Sequence, residues 1–316
     1  MNKTRWLPLI AAFSTLYLVW GTTYLGLALL LRTLPPFASG SIRFALAALL
    51  MWMLLRLKGA NPLAGVPWKL AAIAGVLLSG IGNGFVIWGQ QSVPSGIAAL
   101  LVAALPLWIL LFDSIAFARR RPGAKDLVGS VIGLAGVVLI VMHTRSFSGT
   151  GAILPTAMIL IATFAWSIGT LVQRKAAKPG QLGAFACAQM AFGALFQGAC
   201  ALILGEWPLV GIEDFTPTTL WTLAYMVVFG SVIAVNAYLW LITKVPVAAV
   251  ATYSLVNPVV AMALGAVVLG ERIDSSAIAA SALVLAGVAL VLWPAKAQPA
   301  PKLAEPAPSL SLERAS

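Results

Sequence analysis

Long apolar stretches, separated by short polar or charged segments, run through almost the whole of this chain. Residues 7–31 contain no charged side chain, and neither do residues 70–112. Because a helix crosses the hydrocarbon core of a bilayer with about 20 residues, the longer stretch must hold two helices, and Pro94 marks the break between them. The other apolar stretches cover residues 37–55, 127–142, 151–173, 183–204, 219–242, 247–269 and 276–293. The pattern therefore predicts an all-α polytopic membrane protein with ten transmembrane helices.

The distribution of positive charge predicts the orientation of these spans. Of the 20 lysines and arginines, only Arg32, Arg145 and Arg272 fall on the outer side when the N-terminus is cytoplasmic, and Arg43 falls inside a span. Short cationic loops resist translocation, so they remain on the cytoplasmic side. We therefore predict that both termini lie in the cytoplasm.

Composition agrees with a membrane protein and excludes a nucleic-acid partner. Hydrophobic residues make up 61% of the chain and charged residues 9%, whereas soluble domains have about 45–50% and about 25%. The net charge of +11 comes from cations in short loops, where they attract anionic lipid headgroups and form no basic face for nucleic acid. The lipid bilayer is the expected partner. Residues 294–316 are rich in Pro, Ala and Ser and are predicted to form a disordered cytoplasmic tail.

Landmarks of the first half of the chain return in the same order in the second half. The matching pairs are Trp20 with Trp166, Trp88 with Trp240, Pro94 with Pro246, and Pro106 with Pro258. In this alignment Arg43 falls near Gln189. Each half holds five predicted spans, so the second half enters the membrane in the opposite orientation. Inverted repeats of this kind are typical of alternating-access transporters, whose substrate site lies near the midplane between the halves. We predict one repeat in residues 1–146 and the inverted repeat in residues 147–293.

These landmarks carry a resemblance to a known family. They are Trp20-Gly21, the Arg43-Phe44-Ala45 run after a Pro-Pro start, the Val-Pro turns, Pro106, Pro258, and the run Leu269-Gly270-Glu271-Arg272. Over about residues 6–293 the chain resembles the EamA-type branch of the drug/metabolite transporter superfamily, and within it the bacterial aromatic amino-acid exporters. The resemblance implies a multi-pass exporter of amino acids and related metabolites in the bacterial inner membrane. The run Arg119-Arg120-Arg121 stands where that family often carries another Glu-Arg pair, so no acidic role is expected there.

Aromatic and amide side chains at mid-membrane depth are the candidates for substrate binding. Trp20 and Trp166 lie far from the interface where tryptophan normally anchors, so they either pack helices together or wall a cavity. Asn83 and Asn236 need hydrogen-bond partners at that depth, either on a neighbouring helix or on a substrate. The predicted substrate-binding residues are Trp20, Tyr24, Asn83, Trp88, Trp166, Asn236, Tyr238 and Tyr253.

Charged residues, prolines and glycines inside the spans leave further alternatives. Arg43 either snorkels outward or pairs with a helix-end carbonyl, or else it attracts a substrate carboxylate. Asp113 is either screened by the nearby cations or takes part in proton coupling. Pro106 and Pro258 kink their helices and serve either as hinges or as static bends that widen the cavity. Small-residue faces suited to tight helix packing are formed by Gly129, Gly133, Gly136 and Gly287.

The motifs of enzymes are missing from this sequence. It contains no P-loop, no metal-binding cluster of His, Cys and Glu, and no G-x-S-x-G motif, so we predict no enzymatic activity, no cofactor and no metal.

A large, aromatic and almost uncharged cavity suits neutral amino acids, including aromatic ones, as the small-molecule substrate. The alternative is efflux of lipophilic or cationic drugs. Because the spans hold no chain of buried carboxylates, facilitated diffusion is expected, by a monomer or a weak homodimer.

Overall fold

The computed structural model describes residues 6–116, 123–148, 153–176, 178, 180–245, 247–271 and 275–292, and these ranges contain helices and no strand. The predicted tail, residues 294–316, and the Arg119-Arg120-Arg121 run lie outside the described residues. We number the main helices in chain order as α1 Leu7–Leu30, α2 Pro36–Leu57, α3 Trp68–Gly89, α4 Ser95–Val102 with Leu105–Ala116, α5 Ala124–Ser148, α6 Ile153–Ala176, α7 Leu182–Ile203, α8 Pro217–Lys244, α9 Tyr253–Leu269, and α10 Ser275–Leu292.

The length and apolar character of these helices fit a bilayer. Among the described residues, seven helices are long and apolar enough to cross a membrane, and two further apolar helices, Tyr253–Leu269 and Ala277–Leu292, are shorter. Many large apolar side chains face outward, including Leu202, Ile203 and Val267, which are 71%, 82% and 84% exposed. Soluble proteins rarely expose apolar patches of this extent, so this surface fits lipid. The helical, multi-pass architecture is confirmed, whereas ten crossings remain a prediction.

Two Gly-Glu dipeptides in the second half of the chain form hydrogen bonds with helices of the first half. Gly205 follows α7 and Gly270 follows α9, each with a φ of 69°, a left-handed conformation that glycine adopts without strain. In each case the next residue is a glutamate that accepts hydrogen bonds from the N-terminus of a first-half helix. Glu206 Oε2 accepts from Ala38 N of α2 at 2.8 Å. Glu271 accepts from Ser95 N of α4 at 2.8 Å through Oε1 and from Gly96 N at 3.3 Å through Oε2.

These glutamates supply caps that the local sequence does not provide. The N-cap residues of α2 and α4 are Pro35 and Pro94, which have no side-chain oxygen to accept from the free N–H groups of the first turn. A carboxylate is also favoured at the positive end of the helix dipole. The two halves are therefore joined by polar bonds outside the membrane core.

Glu206 is expected to make stability depend on pH. Burial raises the pKa of this carboxyl above its ordinary value of 4.5, and the bond from Ala38 N opposes the rise. The folded protein therefore binds a proton more readily than the unfolded chain, and the stability from this group falls as pH rises from 4.5 through the raised pKa. Glu206→Gln keeps an acceptor oxygen and removes the titration, so its melting temperature relative to the wild type should increase over that pH range.

A second variant separates the cap from the titration. Glu206→Ala removes both the acceptor and the titration, so it should be about 1 kcal/mol less stable than Glu206→Gln at every pH. Both variants are checked by thermal unfolding of the detergent-purified protein between pH 4 and 7. A constant difference between Glu206→Gln and the wild type would contradict the raised pKa.

Helices α5 and α10 pack with almost no side chain between them. A Cβ atom added at Gly287 would meet the backbone of Gly133 and would lie 2.6 Å from Gly129 O. A Cβ atom added at Gly136 would lie 2.7 Å from Val284 N. Small residues allow this approach, which favours van der Waals packing of membrane helices. The predicted small-residue packing face on these two helices is confirmed. An equally extensive contact between two helices joins α2 and α7.

The two prolines proposed as hinges lie in different local structures. Pro106 is the second residue of Leu105–Ala116, after a break at residues 103–104, and a proline in a first turn removes no helical hydrogen bond. Pro258 lies inside Tyr253–Leu264, after a break at residues 251–252. The expectation of two equivalent mid-helix kinks is therefore wrong for Pro106. A hinge role for either proline remains a prediction.

Candidate functional site

A cavity of about 60 Å³ lies among the helices of both halves of the chain. Helices α1 to α4 and α6 to α9 contribute to its wall, whereas α5 and α10 contribute no lining residue among those that the structure describes. Both halves of the chain therefore form the site. The structure brings together six of the predicted binding residues at this cavity, namely Trp20, Tyr24, Asn83, Trp166, Tyr238 and Tyr253.

Trp20 is the centre of an aromatic cluster on the cavity wall. Its ring centroid lies 4.9 Å from that of Tyr253, 5.4 Å from that of Tyr238 and 6.3 Å from that of Trp166. The contacts with Tyr253 and Trp166 are edge-to-face, an arrangement that aromatic rings favour. The sequence left open whether Trp20 and Trp166 pack helices together or wall a cavity. In the structure they do both, since they contact each other and also line the cavity.

Wide helical turns surround the cavity in both halves. The segments Gly75–Gly82 of α3 and Met226–Ile233 of α8 are π-helical. Such turns are frequent at functional sites, because they displace backbone carbonyls from the regular ladder. Gly230 O in the second segment accepts hydrogen bonds from Trp20 Nε1 at 3.3 Å and from Arg43 Nη2 at 3.4 Å. One carbonyl thus holds both the central tryptophan and the buried cation.

The two predicted asparagines have different positions. Asn83 lines the cavity and donates from Nδ2 to Leu78 O, five residues earlier, across the wide turn of α3. Asn236 is not a lining residue, because its Nδ2 donates to Val232 O at 2.7 Å and contacts Met51 Sδ at 3.5 Å. The structure therefore places Asn236 at a contact between helices rather than at the cavity.

Trp88 is also placed elsewhere. It packs in a separate apolar cluster with Phe37, Ala38 and Ala201, and it does not line the cavity. The helical rotation of α3 turns Asn83 toward the cavity and Trp88, five positions later, toward α2 and α7. Its expected place on the cavity wall is corrected accordingly.

Arg43 is the charged residue of the cavity. Only 3% of its surface is exposed, its Nε donates to Ser231 Oγ at 3.0 Å, and its guanidinium carbon lies 4.7 Å from the centroid of the Phe44 ring. It therefore does not snorkel to the outer face, and it pairs with a carbonyl and a hydroxyl of α8. Its Nη1 is buried and has no hydrogen-bond partner. The side chain of Asp113 lies outside the described part of the chain.

Two glutamines that line the cavity were not among the predicted substrate-binding residues. Gln173 Nε2 donates to Gln189 Oε1 at 2.7 Å, and both residues are cavity-lining. Gln173 Oε1 is buried and lacks a partner. The signal that could have found them is the one that singled out Asn83, an amide within an apolar span. Gln189 is also the residue near which Arg43 falls in the predicted repeat alignment.

Most of the side chains that line the cavity carry no charge. In the residues that the structure describes, no group of three or more His, Cys, Asp or Glu side chains could hold a metal ion. Aromatic rings, amides, hydroxyls and one guanidinium line the cavity instead. Such groups bind and orient a small amphipathic molecule.

Comparison with known proteins identifies the architecture. The uncharacterized inner membrane transporter YedA of Escherichia coli (strain K12) is 35% identical over 311 residues, covering 95% of this chain and 97% of that protein. A probable amino-acid metabolite efflux pump of the same organism is 22% identical over 277 residues, covering 85% of this chain and 90% of the pump. One crystal structure has a TM-score of 0.64 at 20% identity, covers 89% of this chain and 94% of its own, and shares the fold.

The family assignment rests on two matching copies. The EamA-like transporter family matches residues 7–142 and again residues 154–293. The two copies meet at the cavity described above, to which both contribute residues. Members of this family are transporters and not enzymes. This chain therefore belongs to the EamA-like transporter family, within the drug/metabolite transporters.

Proposed function

We propose that this protein exports neutral amino acids, aromatic ones included, across the bacterial inner membrane. The observation that carries the proposal is the aromatic cavity between the two halves, with Trp20, Trp166, Tyr238 and Tyr253 on its wall. Aromatic and apolar surfaces favour the side chain of such a substrate, and the amides at the cavity suit its polar groups. The amino-acid metabolite efflux pump among the relatives lends further support.

The small size of the cavity supports alternating access. A volume of about 60 Å³ is well below the roughly 300–1,000 Å³ of pockets that enclose a drug-sized ligand. An aromatic amino acid therefore requires the helices around the cavity to move apart. We propose that the two halves rock about the cavity to admit and release the substrate. The proposal includes ten spans, inverted repeats in residues 1–146 and 147–293, and cytoplasmic termini. Pro258 is the better-placed hinge because it lies inside a helix, where proline removes a backbone hydrogen bond.

Transport by facilitated diffusion fits the lining of the cavity. Among the described residues no aspartate or glutamate lines it, and proton-coupled carriers rely on acidic or histidine side chains at membrane depth. We propose that the substrate gradient alone drives export, by a monomer or a weak homodimer.

The test is tryptophan flux through purified protein in liposomes at the same pH on both sides. We expect counterflow of labelled tryptophan and phenylalanine, with no uptake into protein-free liposomes and little uptake of lysine, whose extra charge is costly in an apolar cavity. Flux that requires an imposed pH gradient and disappears in Asp113→Asn would overturn facilitated diffusion. Absence of amino-acid flux, together with transport of lipophilic cations, would favour drug efflux instead.

A further inference from the structure

We propose that the Arg43 guanidinium binds the carboxylate of the transported molecule. This inference deepens the proposed function and rests on it, since it assigns one part of the substrate to one end of the cavity. It defines the substrate class as compounds that combine an apolar or aromatic body with a carboxylate. It also excludes lipophilic cations, because the cavity carries a positive charge.

The hydrogen bonds of Arg43 leave part of the guanidinium available. Nε donates to Ser231 Oγ and Nη2 donates to Gly230 O, which fixes the plane of the group against α8. Nη1 is buried without a partner, and Arg43 lines the cavity. Guanidinium N–H groups form a rigid fork that matches a carboxylate. The geometry is therefore that of an oriented donor lacking its acceptor.

The charge of Arg43 also lacks compensation in the described protein. No carboxylate lines the cavity among the described residues, and Glu206 and Glu271 are engaged at the N-termini of α2 and α4. Gln189, which also lines the cavity, is neutral and bonded to Gln173. A buried charge without a counter-ion is strongly unfavourable. An anionic group on the substrate removes that cost, and no other cavity residue duplicates the role.

A purely structural role makes a different prediction. If Arg43 only fastens α2 to α8 through Ser231 and Gly230, its replacement lowers stability and weakens every ligand to a similar extent. If it binds a carboxylate, replacement weakens ligands with a carboxylate and spares those without one. Discrimination between ligands is the readout that separates the two roles.

The experiment uses three ligands that share the indole ring and differ in charge. Isothermal titration calorimetry on the full-length, detergent-purified protein compares tryptophan, indole-3-propionate, which has only the carboxylate, and tryptamine, which has only the amine. In the wild type we expect tryptamine to bind at least tenfold more weakly than the other two. Arg43→Gln should weaken tryptophan and indole-3-propionate by about 10- to 100-fold, the usual range for losing a charge-assisted hydrogen bond, and should leave tryptamine binding unchanged or tighter.

Two further variants control the result. Arg43→Lys keeps the charge and loses the fork, so its loss should be intermediate. Arg32→Gln makes the same change at an exposed arginine outside the cavity and should leave all three affinities unchanged. If Arg43→Gln fails to fold, the wild-type ligand series still decides the question.

The outcomes separate this inference from the proposed function. Equal binding of the three ligands by the wild type, equal weakening of all three in Arg43→Gln, or no binding of either carboxylate overturns the inference. Indole-3-propionate binding that is lost in Arg43→Gln, in a protein that shows no tryptophan flux, supports the carboxylate subsite and rejects amino-acid export. Tryptophan flux with no preference for carboxylates supports export and rejects the subsite.

Discussion

Gly287→Leu is expected to reduce the amount of folded protein in the membrane to a small fraction of the wild-type amount. The Cβ atom alone would meet the backbone of Gly133 and Gly129, and backbone atoms on a packed helix have no alternative rotamer. Inserting a whole side chain into a tightly packed contact costs about 1–3 kcal/mol or more, and here α5 and α10 must separate. The measurement is the yield of monodisperse protein by size-exclusion chromatography, together with its melting temperature.

The matched control is Ala279→Leu on the same helix. Ala279 is exposed, so leucine there faces the lipid and should leave yield and melting temperature unchanged. Normal folding of Gly287→Leu would show that the close approach of α5 and α10 is not required.

The second large effect is expected from Trp20→Ala. This change removes the ring that contacts Tyr238, Tyr253 and Trp166, and also the hydrogen bond to Gly230 O. Truncating a large packed aromatic side chain costs about 3–5 kcal/mol of stability. The enlarged cavity should also reduce the preference for tryptophan over leucine, measured as the ratio of the two dissociation constants.

Trp88→Ala provides the comparison for selectivity. Trp88 packs away from the cavity, so its loss should lower stability and leave the tryptophan-to-leucine ratio unchanged. An unaltered ratio in Trp20→Ala would return that residue to a packing role, and an altered ratio in Trp88→Ala would contradict its placement outside the site.

The positions of the helices were predictable because apolar length is a strong signal in a membrane protein. The charge-free stretch of residues 70–112 had to contain two helices, and α3 and α4 divide at Pro94 as expected. The aromatic centre of the cavity was also predictable, since Trp20 and Trp166 lie far from the depth at which tryptophan anchors.

The direction in which each side chain points was harder to predict. Trp88 and Asn236 lie within apolar helices like the lining residues, but lipid, neighbouring helices and cavity all accept the same residue types there. The π-helical turns of α3 and α8 add to the difficulty, because a wide turn rotates all later residues relative to a regular helix.

The helix cap by Glu206 was not predicted, although Leu204-Gly205-Glu206 repeats the Leu269-Gly270-Glu271 run. Its partner, Ala38 N, is far away in sequence and unknown before folding.

The glycine contact between α5 and α10 has a consequence for how substrate range diversifies. These helices add no described residue to the cavity, and a Cβ atom added at Gly129 or Gly287 would meet the backbone of the facing helix. Mutations that adapt the transporter to a new compound are therefore expected on the eight helices that line the cavity, with the glycine contact unchanged. A library randomised at cavity positions would sample new selectivities without disturbing this contact, which makes the protein a practical starting point for directed evolution of exporters.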